Sequence, residues 1–188
     1  MLNGDKMVRQ FDKYEQWSAY HWIWSTRNKH WYNKMVDLNI KELPNEGSVL
    51  DVGCGDGYVC SLLKKRGLYV EGFDNSVIAV KLAQELLPDV KIHLADVETI
   101  SLDRHFDYFI AQNVIEHLNK PESLVKLFED YCDKYMILAT DIPEGKVGKY
   151  EYYSFSFEDI CRIFGEFKVE KLYGFRKVYG VRISKWIH

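Results

Sequence analysis

The run Val49-Leu50-Asp51-Val52-Gly53-Cys54-Gly55-Asp56-Gly57 is the part of this 188-residue chain best suited to chemistry. An apolar segment reaches a carboxylate, Asp51, and enters a loop with glycine at every second position. Glycine lacks a Cβ and tolerates positive φ, so such a loop lets the backbone approach a ligand closely. Residues 57–66 read as a helix, whose first amides lack intrahelical partners and point back at that ligand. Strand, glycine loop and helix together are how an α/β protein builds a nucleoside site at the end of its first strand.

Spacing narrows the nucleoside. A dinucleotide fingerprint G-x-G-x-x-G/A would accept Gly53 and Gly55, but its third position falls on Tyr58, whose bulk opposes close helix–strand packing. No Gly-Lys-Ser/Thr follows, so a phosphate-binding P-loop fails as well. The loop carries two carboxylates, Asp51 and Asp56, and no lysine. Negative charge there suits a cation better than a pyrophosphate. S-adenosylmethionine has a sulfonium, an ammonium and no phosphate. The segment resembles motif I of the class I S-adenosylmethionine-dependent methyltransferases, and related positions continue to about Thr140.

Asp74 ends the second apolar segment in Glu71-Gly72-Phe73-Asp74-Asn75-Ser76. A carboxylate there can accept both ribose hydroxyls, although Asp-Asn-Ser is also a good helix cap. The resemblance implies that Asp74 grips the ribose and that Asn75 borders the adenine. It implies that Asp96 accepts from the adenine amino group while the Val97 amide meets a ring nitrogen. The Gly53 carbonyl and Asp51 are expected at the methionine ammonium, with Asn113 adding an oxygen. Cys54, Gly55 and Gly57 complete the loop, Cys54 through its backbone.

After the fourth apolar segment comes Gln112-Asn113-Val114-Ile115-Glu116-His117-Leu118, which faces the sulfonium in the resembled fold. It lacks the Asp/Asn-Pro-Pro-aromatic motif of amino-methylating DNA enzymes, the Pro-Cys of cytosine-C5 enzymes and the paired glutamates of arginine methyltransferases. Glu-His-Leu resembles the small-molecule group that includes quinone-biosynthesis and sugar methyltransferases. The metal-binding Glu-x-x-Glu-His of small-RNA 2′-O-methyltransferases is broken by Asn113, so no metal is expected. His117 is the candidate base, because its ordinary pKa lies near neutrality; a histidine capping a short helix is the plain alternative. His21 is the second candidate. Positioning alone can supply much of the acceleration of such a transfer.

These residues need elements to hold them. Strands are expected at 48–52, 69–73, 90–94, 106–111, 135–140, 167–173 and 178–183. Helices are expected at 57–66, at 76–87 and from Pro121 to Cys132, the last with Asn119 as a possible cap. Ser156-Phe157-Glu158-Asp159 reads as a capping box with Asp in place of Glu. The alternation of strand and helix predicts an α/β, doubly wound sheet, and Gly174-Phe175-Arg176-Lys177 is a connection short enough to imply an antiparallel pair. The resemblance implies a mostly parallel seven-strand sheet with one antiparallel C-terminal strand, a Rossmann-like methyltransferase fold. The whole chain, 1–188, reads as a single domain with its core at 48–183.

Residues 5–39 differ from the rest. Four of the five tryptophans lie there, in a polar, helical-looking segment that predicts an aromatic lid over the cleft. Such a lid excludes water and attracts a sulfonium. Tyr14, Tyr20 and Trp22 are expected near the substrate, and Tyr150, Tyr152 and Tyr153 of the loop 141–155 on the opposite wall. Ordinary helix-to-sheet packing accounts for other aromatics of the segment.

With 47% hydrophobic residues and no apolar run near membrane length, the chain reads as soluble, globular and cytoplasmic. A net charge of −3 argues against a general nucleic-acid binder. The four cysteines form no C-x-x-C pair, which argues for reduced thiols and against structural zinc. The expected activity is methyl transfer to oxygen or nitrogen of a small molecule, a sugar or secondary metabolite first, by a monomer or homodimer. RNA or protein methylation is the alternative that the basic C-terminal stretch favours. A non-catalytic partner subunit retaining the cofactor pocket is another.

Overall fold

The computed structural model describes residues 13–27, 31–143 and 151–186. Tyr150 and residues 5–12 of the aromatic segment lie outside them. Three short helices come first: α1 (Lys13–Trp17), α2 (Tyr20–Ser25) and α3 (Trp31–Lys41). Then β1 (Ser48–Val52), α4 (Tyr58–Lys65), β2 (Tyr69–Asp74), α5 (Val77–Leu86) and β3 (Lys91–Leu94) follow. The second half comprises β4 (Phe106–Gln112), a 3₁₀ turn (Ile115–His117), α6 (Glu122–Tyr131), β5 (Cys132–Asp141), α7 (Phe157–Ile163), β6 (Lys168–Phe175) and β7 (Val178–Ser184).

The seven strands form one sheet in the order β3-β2-β1-β4-β5-β7-β6. The five strands from β3 to β5 are parallel, and β7 runs antiparallel to both neighbours. The doubly wound sheet with a reversed C-terminal strand is therefore present. Apolar residues crowd both faces of the central strands, as a sheet covered on both sides requires. One face packs on α6 and α7 through Leu124, Phe128, Ile160 and Phe164. The other packs on α3, α4 and α5 through Met35, Val36, Leu63 and Val80.

Two boundaries differ from expectation. The sixth helix stops at Tyr131, and Cys132 already begins β5. Its thiol is buried against the carbonyls of Asp107 and Tyr135, so helix passes to strand without a loop. Asn119 is not the cap of α6. Pro121 stands at that position with helical φ and no side-chain cap, and the preceding Lys120 amide donates to Glu98 Oε1 at 3.0 Å. The C-terminal hairpin is tighter than its four-residue connection suggested. Gly174 and Phe175 pair across to Tyr179 and Val178, leaving Arg176-Lys177 as the turn, with Arg176 at φ 51°. Two-residue hairpins demand such a positive φ. The capping box at α7 forms as read: the Asp159 amide donates to Ser156 Oγ at 3.1 Å, and Asp159 Oδ2 accepts from the Ser156 amide at 3.0 Å.

The hairpin also braces α3. Tyr173 donates to the buried Asn39 Oδ1 at 2.6 Å, and Arg182 pairs with Glu42 at 2.5 Å. The Tyr173 ring lies so close to Gly180 that an added Cβ would stand 2.4 Å from it. Gly180→Ala should therefore push Tyr173 off Asn39 and lower stability by about 1–3 kcal/mol in urea unfolding. An unchanged midpoint would show that the brace contributes nothing.

Candidate active site

The carboxyl ends of the five parallel strands open into a cleft of about 810 Å³, large enough for a nucleoside and a second small molecule. Strand order sets the layout. Asp74, Asn75, Asp96 and Val97 lie at the β2–β3 end. Asp51, Gly53, Cys54, Gln112 and Asn113 lie at the centre, and Glu116, His117, Asp141, Glu151 and Tyr152 toward β5. Tyr14, Tyr20, His21, Trp24 and Tyr32 form the remaining wall.

At the β2 end, Asp74 Oδ2 accepts from the Gly55 amide at 2.9 Å and Oδ1 from the Ser76 amide at 2.8 Å. Burial pushes its carboxyl above the ordinary range, and the two amides oppose that rise. Each carboxylate oxygen keeps a second lone pair for a ligand. The cap of α5 is Ser76, whose Oγ accepts from the Ala79 amide, so Asp74 is not spent on capping. Asp96 Oδ1 accepts from the Glu98 amide at 2.8 Å, and Asn75 donates to Oδ2 at 3.4 Å. Asn75 and Asp96 thus come together.

At the centre, Asp51 is 3% exposed. Cys60 donates its thiol to Oδ2 at 3.1 Å, yet desolvation pushes the Asp51 carboxyl up to about 7. Cys54 gives its amide to the Phe73 carbonyl at 2.9 Å and lines the cleft. Gly55 and Gly57 do not line it. Gly55 has φ 55°, and a Cβ there would stand 2.1 Å from Tyr14 Oη, so α1 lies directly on the glycine loop. Gly57, at φ 77°, begins α4 and lets it close on Ala83 and Leu87 of the α5 region.

Asp56, fully buried, ties the aromatic segment down. Its Oδ2 accepts from the His21 amide at 2.9 Å, and its Oδ1 lies 3.1 Å from His21 Nδ1. Its carbonyl accepts from the Trp22 indole at 2.9 Å. The loop's second carboxylate is therefore an anchor for α2. Tyr14, Tyr20 and His21 form a run of tilted ring contacts, and His21 lies flat on Tyr32 at 4.7 Å and 17°. Burial and the nearby aspartates hold the Tyr14 hydroxyl far from ionising. Trp22 is not on the cleft; its ring meets Tyr58 edge-on at 5.5 Å. The reason is the indole bond to Asp56, which turns it away.

Asn113 follows β4 at φ 53°, a strained conformation for a side-chain-bearing residue and one frequent at functional sites. Its amide nitrogen donates to Glu116 Oε1 at 3.0 Å and to Asp141 Oδ1 at 3.1 Å. Glu116 is buried and accepts from Thr140 Oγ1 at 3.0 Å. Desolvation raises both carboxyls, and Glu151 raises Asp141 further. His117 lies close enough to both that a positive charge on its ring would favour their ionised forms. His21 instead acts on Asp74. The two candidate histidines thus serve opposite ends of the cleft. Tyr153 turns its hydroxyl to the Asn119 carbonyl at 3.2 Å and packs on Phe155; Tyr152 lines the cleft in its place.

Sequence reasoning missed Asp141; it placed Gln112 and Glu116 in the segment facing the sulfonium without giving either a role in the site, and it placed Tyr152 on the substrate wall beside Tyr150 and Tyr153. Asp141 follows the 135–140 strand as Asp74 follows the 69–73 strand, and that parallel was available. Seven lining residues are acidic against Lys13 and two histidines, so the cleft favours a cation. Among the described residues no group of three His, Cys, Asp or Glu can hold a metal, and no helix is long and apolar enough to cross a membrane.

A family model described as a methyltransferase domain matches residues 23–170. The chain belongs to the methyltransferase domain family. It is 29% identical over 138 residues to a ubiquinone biosynthesis O-methyltransferase of Nitrosomonas europaea, covering 66% of this chain and 57% of that protein. It is also 29% identical over 134 residues to (S)-coclaurine N-methyltransferase of Papaver somniferum, covering 66% and 38%. The chain thus spans little more than half the length of the first relative. Among solved structures, a TehB-like SAM-dependent methyltransferase of Corynebacterium glutamicum superposes with a TM-score of 0.73 at 18% identity, covering 92% of this chain and 97% of that one. The magnesium protoporphyrin IX methyltransferase of Synechocystis PCC 6803, crystallised with bound SAH, gives 0.69 at 18% identity, covering 95% and 98%. These two establish the class I methyltransferase fold.

The Asp51 carboxyl has a sign that can be tested. Its native pKa of about 7 lies above the ordinary 3.8, so the native state holds its proton more tightly than the unfolded chain. Its unfavourable contribution to stability grows as pH rises between those values and is full above about 7. Asp51→Asn should raise the melting temperature at pH 8, with the gain shrinking toward pH 4.5. A gain independent of pH would mean that Asp51 is not held neutral by burial.

Proposed function

We propose that this chain is an S-adenosylmethionine-dependent methyltransferase acting on oxygen or nitrogen of a small molecule, with a sugar or secondary metabolite as the first class to test. The observation that carries the reading is the acidic cleft at the end of β1, built over a glycine loop and lined, among the described residues, by Lys13 against seven carboxylates. That donor set fits a cationic nucleoside and opposes a pyrophosphate. When bound, S-adenosylmethionine supplies an electrophilic methyl group on a sulfonium.

Asp74 holds the ribose hydroxyls, with its carboxylate fixed by the Gly55 and Ser76 amides. Asp96 and the Val97 amide read the adenine edge beside Asn75. Asp51 and the Gly53 carbonyl take the ammonium. Tyr14, Tyr20 and His21 exclude water from above the glycine loop, held there by Asp56. The acceptor lies toward β5, between Asn113, His117, Asp141 and Tyr152. His117 takes the proton from the attacking hydroxyl, or from a neutral amine nitrogen as it gains the methyl group and the carbon–sulfur bond breaks, and its neighbours Glu116 and Asp141 stabilise the charge it gains. His21 acts as a wall rather than the base, because Asp56 holds it over the Asp74 end.

The relatives support a small acceptor: one is an O-methyltransferase of ubiquinone biosynthesis and the other (S)-coclaurine N-methyltransferase. Part of the basic C-terminal stretch is spent on internal pairing. Arg162, Lys168 and Arg182 are paired with Asp159, Glu170 and Glu42.

Calorimetry with S-adenosylmethionine and its demethylated product should show binding by the wild type and a loss of at least tenfold for Asp74→Ala, since a charged hydrogen bond contributes roughly 1.5–3 kcal/mol. No binding by the wild type would defeat the reading. With labelled donor and a metabolite extract, His117→Ala should cut turnover by about 10²-fold or more while donor affinity holds. Full activity in that variant would move the base elsewhere.

A further inference from the structure

The β5 end of the cleft gathers acids from separate elements: Glu116 from the 3₁₀ turn, Asp141 from the end of β5 and Glu151 from the segment that precedes α7. That segment is clipped in place. The Tyr152 amide donates to the Glu116 carbonyl at 2.8 Å, and the Tyr153 hydroxyl to the Asn119 carbonyl at 3.2 Å. Glu151 is thereby brought close enough to Asp141 to oppose its ionisation, while Lys13 favours it. Among the described residues, one lysine against three carboxylates leaves this end short of positive charge.

The neutral groups point the same way. Asn113 commits both of its side-chain N–H bonds to acids, at 3.0 Å to Glu116 Oε1 and 3.1 Å to Asp141 Oδ1. What that side chain still offers the cleft is a carbonyl oxygen, which can only accept. The wall beside it is unfinished as well. Both atoms of the Gln112 side-chain amide are buried with no hydrogen-bond partner among the described residues. Buried polar groups are nearly always paired, so the cleft is made for a polar occupant. A sugar hydroxyl or a neutral phenol would satisfy one acceptor and leave the charge as it was. A carboxylate or phosphate would meet like charge. A protonated amine supplies both missing things, positive charge and several N–H donors, and the Tyr152 ring on the same wall suits a cation.

We infer that the methyl acceptor is a basic primary or secondary amine, received as its ammonium form between the Asn113 carbonyl and Asp141, and that its nitrogen is the atom methylated. This rests on the donor proposed above and narrows the acceptor from oxygen or nitrogen to nitrogen. Transfer needs a free lone pair. The bound ammonium gives one proton to Asp141, whose burial already favours the protonated carboxyl. The nitrogen then bonds to the methyl carbon, the carbon–sulfur bond breaks with its electron pair left on sulfur, and His117 takes a second proton. A neutral N-methyl amine and a thioether result, so neither reacting centre keeps the charge that drew it to the acids.

The test splits a metabolite extract on a cation exchanger at neutral pH and incubates each fraction with wild type and carbon-labelled S-adenosylmethionine. Label should enter the retained fraction, with NMR placing the methyl group on nitrogen. For the acceptor so isolated, Asp141→Asn should raise KM about tenfold or more, as expected for a lost hydrogen bond between charged groups. Asp141→Glu should recover part of the loss, and both variants should bind S-adenosylhomocysteine as wild type does. Glu151→Gln repeats the measurement, with KM again raised, if Asp141→Asn does not fold. Label confined to the unretained fraction, a methyl group on oxygen, no labelled product from either fraction, or an unchanged KM would overturn the inference. Failure of the wild type to bind S-adenosylhomocysteine would instead remove the donor reading on which it rests.

Discussion

Four carboxylates meet at one edge of a parallel sheet: Asp51, Asp74, Asp96 and Asp141 stand at or just past the ends of β1, β2, β3 and β5. Parallel strands necessarily bring their carboxyl ends to the same side, so acids placed at strand ends converge. Burial then works against their charge. Asp51, Asp74 and Asp141 are all pushed above the ordinary carboxylate range, chiefly by desolvation. The fold offsets part of this cost locally, with the Gly55 and Ser76 amides at Asp74, Cys60 at Asp51 and the Asn113 amide at Asp141. None of those groups is a full positive charge. An edge built this way has a standing preference for cationic ligands.

The second constraint is Asp56. A carboxylate in a glycine loop would ordinarily be counted with the ligand site. Here it accepts from the backbone and the ring of His21, and its own carbonyl holds Trp22. The glycine loop and α2 above it are thereby one hydrogen-bonded unit. Tyr14 resting on Gly55 adds steric closure. Moving α2 away from the glycine loop would break these hydrogen bonds.

The antiparallel hairpin at the far edge has a role in this arrangement. Tyr173 and Arg182 reach α3 at Asn39 and Glu42, and α3 carries Tyr32, on which His21 stacks. A chain of contacts thus runs from β6 and β7 through α3 to the wall of the cleft. Residues more than a hundred positions apart are joined, which no local pattern announces.

What the chain's order of residues determined by itself was local and periodic. Apolar runs bounded by glycine and proline located the seven strands within a few residues, because burial on both faces demands such runs. The glycine spacing and the acids at strand ends marked the nucleoside site, because backbone approach and charge depend on residue type alone. Tertiary structure decided what depends on direction. Trp22 and Tyr153 face away from the cleft, while Tyr152 and Asp141 enter it, because neighbouring residues in irregular segments point differently only once their partners are in place. The two histidines, ranked with His117 first from the sequence, are divided in space by Asp56 and by Glu116 with Asp141. Gln112, an unremarkable amide at a strand end, became notable only when packing left it buried without a partner. Burial and pairing are properties of the folded whole, and that is why they could not be read along the chain.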